Sequence, residues 1–98
     1  SLKCVPAANN WKEGIAIIYP NPAQAVFNIA LQGLQEGQEL EITVFDLIGR
    51  KMLTQAHTFR STYDLITFDN NWNPGHYVLR IQTADGGFLY AGKVVISR

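Results

Sequence analysis

The sequence predicts an all-β fold, an immunoglobulin-like β-sandwich of about seven antiparallel strands. Three observations carry that reading. Apolar residues alternate with polar ones at period two over most of the chain after residue 14. Turn-forming clusters interrupt the alternation at short, regular intervals. No segment sustains a 3.6-residue amphipathic period over three turns, so no helix longer than two turns is expected.

The elements follow in order. Residues 1–14 carry Pro6 and the pair Asn9-Asn10 without a sustained period, and are expected to be a linker; residues 15–98 form the domain. Strands are expected at 15–19, 25–31, 40–47, 50–58, 62–69, 76–83 and 88–96. Pro20-Asn21-Pro22 ends the first, because Pro20 and Pro22 fix φ and lack amide donors. Asn21, ahead of Pro22, is pushed toward an extended conformation. In the second, Phe27, Ile29 and Leu31 alternate with Asn28 and Ala30. Gly33 to Gly37 separates it from Leu40, Ile42 and Val44, and Gly49 permits a tight turn after Asp46. Asn73-Pro74-Gly75 leads into a strand where Tyr77, Leu79 and Ile81 point inward. Asp85-Gly86-Gly87 reads as a hairpin connection. In the last strand Val94 and Ile96 face the core while Lys93, Val95 and Ser97 face out.

Composition limits what such a domain does. With 98 residues there is room for one domain, and the 47% of apolar residues can fill one core. Eight Lys and Arg balance eight Asp and Glu, scattered along the chain, so no phosphate-binding stripe exists and no nucleic-acid partner is expected. No apolar run reaches the roughly 20 residues of a transmembrane segment. Residues 1–12 lack the apolar stretch of a signal peptide, so any export address is expected elsewhere, or upstream in a longer parent. The lone Cys4 cannot form an internal disulfide, and the fold must hold by packing.

Catalytic constellations are hard to assemble. His57 and His76 have no ligand at metal spacing, and both read as solvated strand residues; no metal or cofactor is expected. Asp46, Asp64 and Asp69 supply carboxylates. Asp46 in Asp46-Leu47-Ile48-Gly49, and Asp69 before Asn70-Asn71, read as carboxylates bonding turn amides. Met52 reads as a core or edge filler. Trp72 is expected to fold over the edge of the core and Trp11 to cover the linker junction. The alternative is a carbohydrate-binding or adhesive sandwich, in which Trp72, Trp11 and Tyr90 form an exposed stacking platform. No enzymatic triad or carboxylate pair is visible, so the chain is not expected to be an enzyme.

Three ordered segments carry a family resemblance. They are Ile18-Tyr19-Pro20-Asn21-Pro22 followed by Phe27-Asn28-Ile29, then Ile42 to Arg50 with Asp46 and Gly49, then Asn73-Pro74-Gly75-His76-Tyr77 running on to Gly92-Lys93-Val94-Val95-Ile96. In this order and spacing the chain resembles the C-terminal sorting domains of the type IX secretion system, over residues 15–98. The resemblance implies a signal domain on a larger Gram-negative parent protein, recognised by the outer-membrane translocon. It also implies a surface sortase that often cuts upstream and attaches the cargo to lipopolysaccharide. Localisation would be the periplasm in transit, then the cell surface or the extracellular space. Many members finish on Lys after the last apolar run, where this chain has Ser97-Arg98. The recognition surface is expected at Lys93, Val94, Val95, Ile96, Ser97 and Arg98, through the free edge of the terminal strand.

Overall fold

A computed structural model describes residues 15–97. Seven strands form: β1 (Ala16–Tyr19), β2 (Val26–Gln32), β3 (Glu39–Asp46), β4 (Lys51–Thr58), β5 (Tyr63–Asp69), β6 (Gly75–Thr83) and β7 (Phe88–Ile96). Each lies within one residue of its expected position at both ends, and no helix occurs among the described residues. The strong agreement reflects the strength of two local signals, the period-two burial pattern and the turn residues that punctuate it.

Two antiparallel sheets result, one ordered β1-β2-β5 and one ordered β4-β3-β6-β7. The chain crosses between sheets after β2, β4 and β5, the Greek-key connectivity of immunoglobulin-like sandwiches. The inward residues of both sheets make the core. Phe27, Ile29 and Leu31 of β2 face Ile42 and Val44 of β3, with Tyr77, Leu79 and Ile81 of β6, and all eight are buried. Val94 and Ile96 of β7 join them, as the alternation requires.

One end of the core is closed by aromatic rings. Trp72 sits 5.9 Å from Phe27 and 5.2 Å from Tyr77, centroid to centroid, and Phe27 lies 5.4 Å from Phe68. Trp72 thus folds over the core edge, as expected. The Tyr77 hydroxyl donates to the Asn73 carbonyl at 2.6 Å. This is the tyrosine corner of immunoglobulin-like domains, and it fixes the entry into β6.

The sandwich has two lateral sides, where an edge of one sheet faces an edge of the other. On one side β4 meets β5, and there His57 Nε2 lies 2.8 Å from Asp64 Oδ2. His57 is therefore half-buried in a side-chain pair, whereas its polar surroundings in sequence suggest a solvated residue. The cause is the crossover from β4 to β5, which sets two consecutive strands in different sheets. The other side, between β1 and β7, is closed by hydrogen bonds to the β7 backbone and belongs to the candidate site. A smaller correction falls after β5. There Asn70, not Asp69, bonds the turn: its Oδ1 accepts from the Trp72 amide at 3.1 Å and its Nδ2 donates to the Gln24 carbonyl at 2.9 Å.

Candidate recognition surface at the terminal strand

Within its sheet β7 pairs with β6 alone, in the register Tyr77↔Val94, His76↔Val95 and Gly75↔Ile96. Side chains alternate across the strand, so Val94 and Ile96 are buried while Lys93 and Ser97 are exposed and Val95 is half-exposed. Backbone groups alternate too. Residues whose amide and carbonyl serve β6 are followed by residues whose groups point away from the sheet. Those outward groups are the open edge that the sequence suggests for strand addition.

Between Lys93 and Ser97 that edge is not open. The Asn21 side chain donates to the Lys93 carbonyl at 2.9 Å and accepts from the Val95 amide at 2.9 Å. Two residues on, the Ala23 amide donates to the Val95 carbonyl, and the Ser97 amide donates to the Ala23 carbonyl, both at 2.7 Å. Ala23 pairs with Ile96 in a parallel bridge. The segment after β1 thus lies along β7 as a latch. Pro20 and Pro22 have no amide hydrogen to offer, and the Asn21 side-chain amide and Ala23 make the contact. Ala23 is completely buried, so the latch encloses its methyl group in the core. A partner strand adding along Lys93–Ser97 would have to displace the bonds that Asn21 and Ala23 make there.

Gly92 has a different constraint. A Cβ at this position would lie 2.8 Å from ring carbons of Tyr90, so the missing side chain makes room for that ring. Tyr90 and Trp72 are both half-buried against the core, and these two do not form an exposed stacking platform.

At the β3–β4 turn, Asp46 does what its sequence context suggests. Its Oδ1 accepts from the amides of Ile48 at 3.0 Å and Arg50 at 2.8 Å, and its Oδ2 accepts from Arg50 Nε at 3.1 Å. The Arg50 amide is the largest cause holding the Asp46 carboxyl below its ordinary range, with the Ile48 amide and the Arg50 charge adding to it against some desolvation. Gly49 has φ of +97°, a conformation that other residues adopt only at a cost. The turn holds Leu47 and Ile48 in water, Ile48 at 93% exposure.

Of the motif residues, Asn21 bonds the terminal strand with Tyr19, Pro20 and Pro22 beside it in sequence, and Gly75 and Tyr77 pair with that strand from β6. Asp46 pairs with Tyr77 across β3 and β6, and Gly49 shapes the adjoining turn. Arg98, Cys4, Trp11 and the expected linker at 1–14 lie outside the described residues. Among the described residues no group of three or more His, Cys, Asp or Glu could hold a metal ion. Sequence reasoning missed Ala23, which carries no chemical signal, and the His57–Asp64 pair, whose members fall on separate sheets.

A family model described as a secretion system C-terminal sorting domain matches residues 17–97. No curated protein matches the chain.

Proposed function

The chain belongs to the type IX secretion C-terminal sorting domains, and from that premise we propose that it directs a larger parent protein across the outer membrane by docking on the translocon. The observation that carries this reading is the family match, which runs from within β1 through β7 and includes the latch and the terminal strand together. The family consists of sorting signals, not enzymes, and its members lead to the cell surface or the extracellular space. The reading extends to transit through the periplasm, recognition at Lys93–Ser97 and Arg98, and release by a sortase that joins the parent to lipopolysaccharide.

The structure suits a signal that must be folded to be read. Residues that are far apart in sequence, Asn21 and Val95, converge on one edge. An unfolded chain presents no such surface, so the signal and the fold are one object. The test is a fusion of residues 1–98 to a periplasmic reporter in a Gram-negative host that carries this secretion system. The reporter is expected at the surface or in the medium, and in a translocon-deficient strain it is expected in the periplasm. Retention in the periplasm of both strains would defeat the proposal. Cleavage and lipopolysaccharide attachment are read from the same fusion as a mass shift on surface-exposed reporter.

A further inference from the structure

With its edge latched, the terminal strand has one other surface to offer, the outer face of the four-stranded sheet. The register places four residues in one row across that face. Lys51 of β4 pairs with Phe45 of β3, Phe45 with Val78 of β6, and Val78 with Lys93 of β7. Alternation confirms the side for Phe45, Val78 and Lys93, whose sequence neighbours Val44, Leu79 and Val94 are buried on the inner face; Lys51 follows a register shift in the β3–β4 pairing, beyond which it is the partner of Phe45 and is exposed. The row therefore has an apolar middle and a cation at each end. Val78 is 39% exposed and Phe45 half-exposed, so the middle is reachable.

A third cation stands in the next row, where Arg80 pairs with Thr43. Its guanidinium carbon lies 4.8 Å from the centre of the Phe45 ring. Arg80 is held by this stacking and not by a carboxylate; its Nε is buried without a hydrogen-bond partner. Among the described residues the ion pairs are Arg50–Asp46 and His57–Asp64, and neither touches Lys51, Arg80 or Lys93. The domain is neutral overall, with eight charges of each sign, so three cations without an ion pair around one aromatic residue are a local excess, with Glu41 one row further along β3 opposite Gln82.

We infer that the outer-membrane receptor reads this face, with an acidic protein surface carrying an apolar side chain that settles on Phe45 and Val78 between Lys51, Arg80 and Lys93. The inference rests on the sorting function proposed above and names the surface and the partner chemistry. A protein partner fits better than a lipid headgroup layer. Polybasic membrane recognition uses about four to eight clustered cations, whereas this face has three around an apolar centre. Opposite charges steer the encounter and fix register, and the apolar centre supplies contact.

The test uses the full fusion protein described above. Lys51→Glu combined with Lys93→Glu reverses two exposed charges, leaves the core side chains unchanged and keeps the Lys93 backbone carbonyl that Asn21 bonds. Lys51→Arg with Lys93→Arg keeps the charge and serves as its counterpart. Both variants are checked by circular dichroism and thermal melting. The expected result is export of the Arg pair at the wild-type level, and a fall of about tenfold or more for the Glu pair with the domain folded. Export of the folded Glu pair at the wild-type level overturns the inference and leaves the sorting function standing. Failure of the wild-type fusion to leave the periplasm defeats the sorting function, and the inference with it. In a second arm the purified fusion is sedimented with vesicles containing anionic lipid. Sedimentation of the wild type that is lost in the Glu pair assigns the face to a lipid surface and overturns the protein receptor.

Discussion

The two lateral sides of the sandwich are closed by different chemistry. Between β1 and β7 the closure is a short run of chain, Asn21 to Ala23, that bonds backbone groups of the terminal strand. Between β4 and β5 it is a single pair of side chains, His57 and Asp64. The first closure satisfies backbone groups that would otherwise form an aggregation-prone edge. The second leaves the strand edges to themselves and depends on protonation. Asp64 loses some stabilisation to burial, but bonds from His57, the Arg60 amide and the Leu65 amide outweigh that and hold its carboxyl below the ordinary range. The contrast gives the two sides different roles: one pairs outward backbone groups of the terminal strand, the other joins the sheets through side chains.

The comparison breaks most visibly if the latch loses its anchor in the core. Ile96→Ala empties a buried site directly beside the Ala23 bridge, and is expected to cost about 2 to 5 kcal/mol, read from urea or thermal unfolding. A loss below this range would mean that the latch side carries little of the packing.

Asn21→Ala removes two hydrogen bonds at the surface and leaves the core intact, with an expected cost of about 1 to 2 kcal/mol. Amide exchange should quicken at Val95 and Ser97 before other residues of β7. Asn21→Asp should not restore stability: one carboxylate oxygen still accepts from the Val95 amide, but the other faces the Lys93 carbonyl with no proton to donate. Full rescue by Asp would show that the bond to Lys93 contributes nothing.

On the opposite side, Asp64→Asn is expected to cost about 1 kcal/mol at neutral pH. The folded carboxyl has a depressed pKa, so its contribution is present above the unfolded value near 3.9 and is lost as pH falls through the folded value. Wild type and Asp64→Asn should therefore converge in strongly acidic solution, while the Asn21→Ala deficit persists. Equal pH dependence of the two deficits would erase the distinction between the two sides.

Asp46→Ala should be the mildest in a global melt. Its partners are Ile48 and Arg50, two and four residues away, and its loss frees a turn that already projects into water. Faster exchange at the Ile48 and Arg50 amides, with β3 and β6 unchanged, is the expected signature.

Asp46 and Asn21 also show how far the sequence can be read. Asp46 bonds the Ile48 and Arg50 amides of its own turn, so a five-residue window contains acceptor and donors, and its role is legible from Asp46-Leu47-Ile48-Gly49 and the residue that follows. Asn21 looks like an ordinary loop residue between two prolines. Its partners are 72 and 74 residues away, and no local pattern names them. The same holds for Lys51, Phe45, Val78 and Lys93, four unremarkable surface positions until register aligns them.

What the sequence determined by itself is the set of strands, their buried faces and the turns between them. Each depends on residues within a few positions: period-two burial selects the inward side chains, and Gly, Pro, Asn and Asp stop the strands. Family membership was legible for the same reason, since its motifs are short and ordered along the chain. Tertiary structure alone decided which strand edges are open, which charges go uncompensated and which carboxylate meets a histidine. Those outcomes depend on strand order and on register between strands far apart in sequence, where a shift of one residue turns every side chain to the other face.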